Sequence, residues 1–340
     1  MLPWLVRDLV VSSCSGQEAR YSGKRSGNSP NRTFQVLLPG EIRLMSSGQM
    51  GMLGLLNVHK PVGVTSRDAV THVQRLVKPL KVGHAGTLDP LASGVLVIGI
   101  GKATRLMKYV QRMPKLYRAS FRLGFESDTE DVLGQVRQVS ETSVPTQDQI
   151  LECLPRFIGE IQQRPPAFSA LKVKGQRAYA LARKGQDVVL EPRPVQVYDI
   201  QLEHYAFPQL QLTISCGTGT YVRSLGRDLA QDLGTAAVME SLVRCSIGSF
   251  KLDQSLTLDS LGLQDISQHL LPAGRAVEDL PSVVLEQDLL DKVELGQLIQ
   301  LPSSSQGPEI ALRDSDNNLL AILVDSGSGR WRPSPNLIAR

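Results

Sequence analysis

The sequence predicts an α+β fold: a mixed, largely antiparallel sheet flanked by helices, with a small β-rich domain appended at the C-terminal end. Three observations predict it. Strand-like and helix-like segments follow one another from residue 53 to about residue 280 without the regular βα alternation of a parallel sheet. The segment "LYRASFRLGF" sets Tyr117, Ala119, Phe121 and Leu123 on one face and Arg118, Ser120 and Arg122 on the other, the period of a half-buried strand. Beyond about residue 280 the pattern becomes short strands and turns, "QLIQLP", "EIALRDSDNNLLAILVD" and "GRWRPS". A chain of 340 residues has room for about two or three domains, and we set the boundaries at 1–51, 52–280 and 281–340.

The first 51 residues stand apart. "SSCSGQEARYSGKRSGNSPNRT" is rich in Ser, Gly, Arg and Asn without apolar period, the composition of a disordered segment. "MLPWLVRDLVV" is too short and too charged for a secretory signal. Two readings stay open: an organellar targeting segment, against which Asp8, Glu18 and Glu41 count, or an over-extended start upstream of Met45, Met50 and Met52. From Leu53 the signals sharpen. "LGLLNV" reads as a buried strand. Thr65 or Ser66 caps a helix over 66–77 whose apolar face is Ala69, Val70, Val73, Leu76 and Val77. "GVLVIGIG" (94–101) is a second buried strand, and "KATRLMKYVQRM" an amphipathic helix with Leu106, Met107 and Val110 inward. After the alternating strand come a helix from Thr146 to Phe157 and a proline-opened stretch closing on a short helix that carries Tyr179. Two further strands lead into a helix that ends at Gly234, and "AVMESLVRCSIGSF" returns as strand.

Composition bounds the function. A hydrophobic share of 41% with 21% charge is that of a globular protein with a real core, and no run approaches a membrane-spanning length. Cys14, Cys153, Cys216 and Cys245 form no CxxC pair, which argues against a zinc site or a disulfide framework and suits a reducing compartment. Residues 90–125 hold Lys102, Arg105, Lys108, Arg112, Lys115, Arg118 and Arg122 and no acidic residue. That one-signed stretch is either a solvated helix face or an attractor for a polyanion. Residues 281–340 are net acidic.

The stretch with the most chemistry in it is "VGHAGTLDPLASG" (82–94). Asp89 before Pro90 reads locally as a helix N-cap, with Gly94 stopping the turn. Gly83 and Gly86 also permit close backbone approach to a ligand, and the apolar strand behind provides a rigid floor, so Asp89 can equally be a nucleophile. His84 reads as a structural or substrate-orienting side chain. Phosphate-loop, dinucleotide, zinc-protease and serine-hydrolase motifs are absent, which leaves a cofactor-free enzyme or a binding protein.

Five segments in order, "GLLNVHKPVGVTS", "GHAGTLDPLASGVLVIGIGKATR", "KLYRASFRLGFESDTEDVLG", "RPPAFSALKVKGQRAYALARKG" and "CGTGTYVRSLGRDLAQDLG", resemble the bacterial tRNA pseudouridine synthase B family. The resemblance covers residues 53–280 strongly and the tail weakly. It implies the pseudouridine-synthase fold with a small PUA-like RNA-binding tail, no cofactor, and isomerisation of uridine-55 in the tRNA T-loop after base flipping. It implies Asp89 as the catalytic carboxylate, Arg223 as its charge partner and Tyr117 as the aromatic platform under the uracil, a candidate for handling the C5 proton. Around them it implies substrate-side roles for His84, lodged where the extruded bases leave their stack, for Tyr179 on a closing segment, and for Lys60 as support. Gly86 and Arg105 are expected on the RNA-binding side. A nucleophilic carboxylate must stay ionised although burial favours the neutral form, and an arginine partner opposes burial. The implied partner is the tRNA T-stem-loop alone, for a cytoplasmic monomer with no membrane and no obligate protein partner. Two alternatives stay open on the residues: an RNA-remodelling protein without turnover, and a paralogue acting on another uridine.

Overall fold

The computed structural model describes residues 52–338 apart from 141, 170, 174, 183, 187–189 and 302–306; the expectations for residues 1–51 lie outside the described residues. Strand β1 (Gly54–Lys60) leads through a turn into helix α1 (Ser66–Leu76). Thr65 caps α1: its side chain accepts the Asp68 N–H and the Asp68 carboxylate accepts the Thr65 N–H, each at 3.1 Å. Strands β2 (Val82–Ala85) and β3 (Ala92–Ile100) follow, then a 3₁₀ turn over Gly101–Leu106, helix α2 (Met107–Arg112) and strand β4 (Lys115–Leu123). Helix α3 (Gln147–Cys153) tightens into a 3₁₀ turn over Leu154–Phe157, because Pro155 has no N–H to continue the α ladder. The main sheet and the helices beside it continue through β5 (Gly159–Gln163), α4 (Ala178–Ala182), β6 (Arg193–Ala206), β7 (Gln209–Cys216), α5 (Val222–Asp232), β8 (Ala237–Ile247), β9 (Phe250–Lys251) and β10 (Leu256–Thr257).

These ten strands form one sheet in the order β10-β1-β3-β8-β4-β7-β6-β5, with β2 beside β3 and β9 beside β8. Only the β10–β1 and β3–β8 pairs are parallel, so the sheet is mixed and largely antiparallel, as the missing βα alternation predicts. Strand β3 is apolar throughout because both its faces are covered. Val95 and Val97 pack with Leu106, Met107 and Val110, while Leu96, Ile98 and Ile100 pack with Val70 and Val73 of α1. The inward face of β4, Tyr117, Ala119, Phe121 and Leu123, packs with Leu225 and Leu229 of α5. Gly226 lets that helix lie on the strand, since a Cβ there would come within 2.1 Å of the Phe121 ring.

A second sheet holds the tail: β11 (Ser282–Val283), β12 (Ile299–Gln300), β13 (Glu309–Arg313), β14 (Leu319–Asp325) and β15 (Arg330–Asn336), in the order β11-β13-β14-β15-β12. Ile310, Leu312, Leu323 and Trp331 build its own core, and Ala311 and Ile322 on the other face join Met107, Tyr109 and Val110. The tail thus docks on α2. Tyr109 donates to Glu309 at 2.8 Å, and Lys108 and Arg112 pair with the same carboxylate at 3.7 and 3.4 Å.

Among the described residues no helix starts at Asp89: Pro90 and Leu91 form a turn closed by Ala92 N–H to Asp89 C=O at 3.0 Å, and β3 begins at once. The helix-cap expectation is therefore wrong, because Asp-Pro opens a tight turn with the same local residues. Gly94 does not stop a helix either. It sits inside β3 at φ +107°, where a Cβ would lie 2.3 Å from the Arg244 carbonyl oxygen and 2.7 Å from its nitrogen. Gly94→Ala combines backbone strain with a clash against backbone, so we expect a loss of about 3 kcal/mol or more in chemical denaturation. Gly63→Ala, at φ +82° in open space, should cost about 1 kcal/mol; equal losses would refute the packing account.

Candidate active site

The loop between β2 and β3 is held from three sides. The Ser66 hydroxyl at the start of α1 accepts the Leu88 N–H at 2.8 Å and contacts the Leu88 carbonyl at 3.0 Å, while Gly63 N–H donates to the Pro90 carbonyl at 2.8 Å. Gly86 opens the loop at φ +81°. Leu88 and Leu91 bury into the core beside Tyr117, which leaves the Asp89 side chain 40% exposed on an anchored backbone.

Arg223 reaches that carboxylate from the first turn of α5: its Nη2 lies 2.9 Å from Asp89 Oδ2, and the arginine itself is 4% exposed. The same guanidinium lies 3.6 Å from Asp131 Oδ2 and donates to the carbonyls of Thr129 at 2.6 Å and Phe168 at 3.2 Å. Asp131 is buried and locked in its own loop, accepting from the Thr129 hydroxyl at 2.7 Å and the Leu133 N–H at 3.0 Å. One cation therefore faces two carboxylates, of which only Asp89 is open to a ligand.

Beneath them a row runs straight across the sheet. In register, Lys60 of β1 stands opposite Gly94, Gly94 opposite Arg244 of β8, and Arg244 opposite Tyr117 of β4. The Tyr117 hydroxyl is pushed up from its ordinary pKa by burial, against the opposing charge of Arg244. Lys60 donates to the carbonyls of Pro61 at 2.7 Å and Val64 at 2.6 Å. Burial lowers its pKa to about 8 against the raising charge of Asp89. His84 sits in β2 opposite Ile98 and is held below its ordinary pKa by burial and then by Arg244.

Asp89, Arg223, Tyr117, Lys60 and Gly86 thus fall together, with Gly86 tied in through its carbonyl, which accepts from Arg244 at 3.0 Å. Tyr179 is linked by backbone: its N–H donates to Ser169 at 3.0 Å, next to the Phe168 carbonyl that Arg223 holds, and its ring is exposed. Arg105 is not brought to this cluster. It follows the far end of β3, a strand of about 30 Å, and donates to the Asn336 carbonyl of the tail at 3.3 Å. The basic stretch likewise does not lie on one surface. Lys108 and Arg112 meet Glu309 because α2 turns its charges toward the acidic tail that docks on it, while on β4 Arg122 pairs with Glu240 and Lys115 is buried. Sequence reasoning missed Asp131 and Arg244. Asp131 stands in "SDTED", where its neighbours mask it, and Arg244 is a charge two residues after the inward Leu242. Among the described residues no three His, Cys, Asp or Glu side chains are grouped to hold a metal ion, and no helix is long and apolar enough to cross a membrane.

A model of the TruB family pseudouridylate synthase N-terminal domain matches residues 74–222, which include Asp89, Tyr117, Asp131 and Tyr179. The tRNA pseudouridine synthase B of Dehalococcoides mccartyi is 38% identical over 287 residues, 83% of this chain and 96% of that protein. The chain belongs to the tRNA pseudouridine synthase B family. Its Acaryochloris marina member is 44% identical over 242 residues, 70% of this chain and 81% of that one. A chain of the solved Cbf5-Nop10-Gar1 complex superposes with a TM-score of 0.62 at 26% identity, covering 81% of this chain and 79% of that chain. A chain of an H/ACA RNP bound to a substrate RNA containing 2'-deoxyuridine superposes at 0.63 with 22% identity, over 84% and 86% of the two chains, a likeness of fold. The synthase is therefore an isomerase of the pseudouridine-synthase fold. The family model stops just before Arg223, so the placement of Arg223 and Arg244 rests on the geometry above.

The two buried lysines give the synthase a pH signature. Burial lowers the pKa of both Lys60 and Lys115 from 10.5 to about 8. Below pH 8 the folded protein carries both charges in the interior; above it the folded state sheds protons that the unfolded state keeps. Stability should therefore rise between about pH 8 and pH 10. Denaturant midpoints read at about pH 7.5 and 9.5 should show that rise, and Lys115→Met should shrink it. A slope that Lys115→Met leaves untouched would overturn the assignment.

Proposed function

We propose that the chain isomerises uridine-55 of the tRNA T-loop to pseudouridine, with Asp89 as the carboxylate that works on the reacting nucleotide. The observation that carries this reading is the Asp89–Arg223 contact of 2.9 Å, in which the carboxylate is open and the arginine buried. The names of the relatives supply the substrate class, tRNA. The isomerisation breaks N1–C1′, turns the uracil and forms C5–C1′. The C5 proton is lost and N1 ends protonated, so atoms balance with no redox partner.

Cleavage draws electrons from the ribose toward the base, and a fixed anion beside the sugar favours that redistribution. Asp89 supplies the anion, its loop holds it within reach, and Arg223 keeps it aimed. Tyr117 closes the other side as the surface on which the extruded base rests, a contact worth about 1–3 kcal/mol that offsets part of the unstacking. Lys60 supports the Val64 side of the cleft. His84 and Tyr179 stand where neighbouring nucleotides pass.

The test is Asp89→Asn assayed on a T-stem-loop RNA by release of label from C5. Turnover should fall by about a thousandfold or more while the RNA dissociation constant stays within about threefold. Surviving turnover would remove Asp89 from the chemistry. Replacement of the target uridine by cytidine should abolish product, and pseudouridine made elsewhere in the RNA would reassign the target.

A further inference from the structure

Arg244 is 1% exposed at the middle of the main sheet, and none of the ion pairs of the described residues includes it. Its Nε donates to the Val95 carbonyl at 2.7 Å and its Nη2 to the Gly86 carbonyl at 3.0 Å. Withdrawing a guanidinium from water onto neutral carbonyls is unfavourable, and an apolar chain of equal length would fill the space more cheaply. Its place in the sheet suggests what that charge does. In the antiparallel β8–β4 ladder Arg244 stands directly opposite Tyr117, so the two side chains share a face about 5 Å apart. The charge of the guanidinium is felt at the phenol, where it opposes the effect of burial on the Tyr117 hydroxyl.

We infer that Arg244 is a positioning residue that fixes the hydrogen-bond polarity of Tyr117, leaving the tyrosine O–H free to donate to an oxygen of the bound uracil. A guanidinium has five N–H groups and no acceptor, so toward Arg244 the phenol oxygen can only accept. The phenol proton is then directed away from Arg244. Breaking N1–C1′ leaves negative charge on the base, shared by its carbonyl oxygens, and a donor preset toward one of them lowers the barrier without moving at the moment of reaction. The guanidinium is itself held by the carbonyls of Val95 and Gly86, which fixes where it faces the phenol. The inference rests on the proposed contact of Tyr117 with the base.

A double-mutant cycle read by single-turnover pseudouridine formation on a T-stem-loop tests it. Tyr117→Phe alone should slow the reaction by about a hundredfold, and a wild-type rate there would sink the base-contact reading itself. Arg244→Met should cost about thirtyfold or more with Tyr117 present but less than about threefold in the Tyr117→Phe background. Equal losses in the two backgrounds would mean that Arg244 acts only through the general structure, overturning the inference while leaving the Tyr117 reading intact. Arg244→Lys keeps an all-donor cation and should stay within about tenfold of wild type. It carries the test if Arg244→Met does not fold: a folded, RNA-binding Arg244→Lys as slow as Tyr117→Phe overturns the proposal. A 3-fluorotyrosine at position 117, titrated by fluorine NMR, should shift its midpoint up by about one unit or more in Arg244→Met; an unmoved midpoint counts against it.

Discussion

The site depends on the ion pair between Asp89 and Arg223. A carboxylate on a short loop, 40% open to solvent, gains little from a surface arginine, because water screens the pair and two side chains must be held still. Arg223 is different. It is buried and already fixed by two carbonyls and a second carboxylate, so its geometry is set before Asp89 arrives. Asp131 matters for the same reason. If Asp89 turns to a substrate, the buried guanidinium still has a buried counter-charge, and the penalty of an uncompensated interior cation is avoided.

The floor of the site has the opposite character. Lys60 and Arg244 lie in one transverse row, Lys115 lies on the strand of Tyr117, and all three cations are buried with carbonyls as hydrogen-bond partners. Burial disfavours the charges of Lys60 and Lys115, and for Lys60 the nearby Asp89 opposes it. An exposed anion and nearby buried cations produce a field across the site. Such a field is preorganised, because its sources are fixed in the sheet. The tail takes no part in this arrangement: it uses Glu309 to meet the charges of α2 at the other end of β3.

Much of this was legible in the sequence, for a physical reason. The alternation of β4, the Thr65 cap and the unbroken apolar run of β3 are local patterns whose period reports which faces are covered. Asp89 was legible as a candidate through its glycines and, by family resemblance, through Arg223. Its conformation was not, since a tight turn and a helix cap use the same residues. Arg244 follows the inward Leu242 at strand spacing, but a charge at an inward position reads from sequence as a break in the pattern and not as a buried group. The facing of the basic stretch was not legible, because sequence gives the sign of a charge and not the direction in which its helix faces. Four of those residues, Lys102, Arg105, Lys108 and Arg112, reach the tail.

Helix α5 grips the Asp131 loop twice. Arg223 takes Thr129 and Asp131, and one turn later Arg227 pairs with Glu130, whose carboxylate also accepts from the Ser224 hydroxyl at 2.7 Å. Glu130 holds φ +62°, a conformation that side-chain-bearing residues adopt at a cost of about 1–3 kcal/mol unless the surroundings over-determine it. Here they do. Its carbonyl accepts the Met239 N–H at 3.0 Å, the next residue but one returns a bond to Met239, and its carboxylate is caught by the helix. Burial pushes that carboxyl up, and Arg227 opposes it. The strained residue therefore sits between the two that Arg223 holds, so the loop cannot relax without pulling on Arg223. The aim of Asp89 is thus fixed through an arginine whose own partners are fixed by a second ion pair one helical turn away.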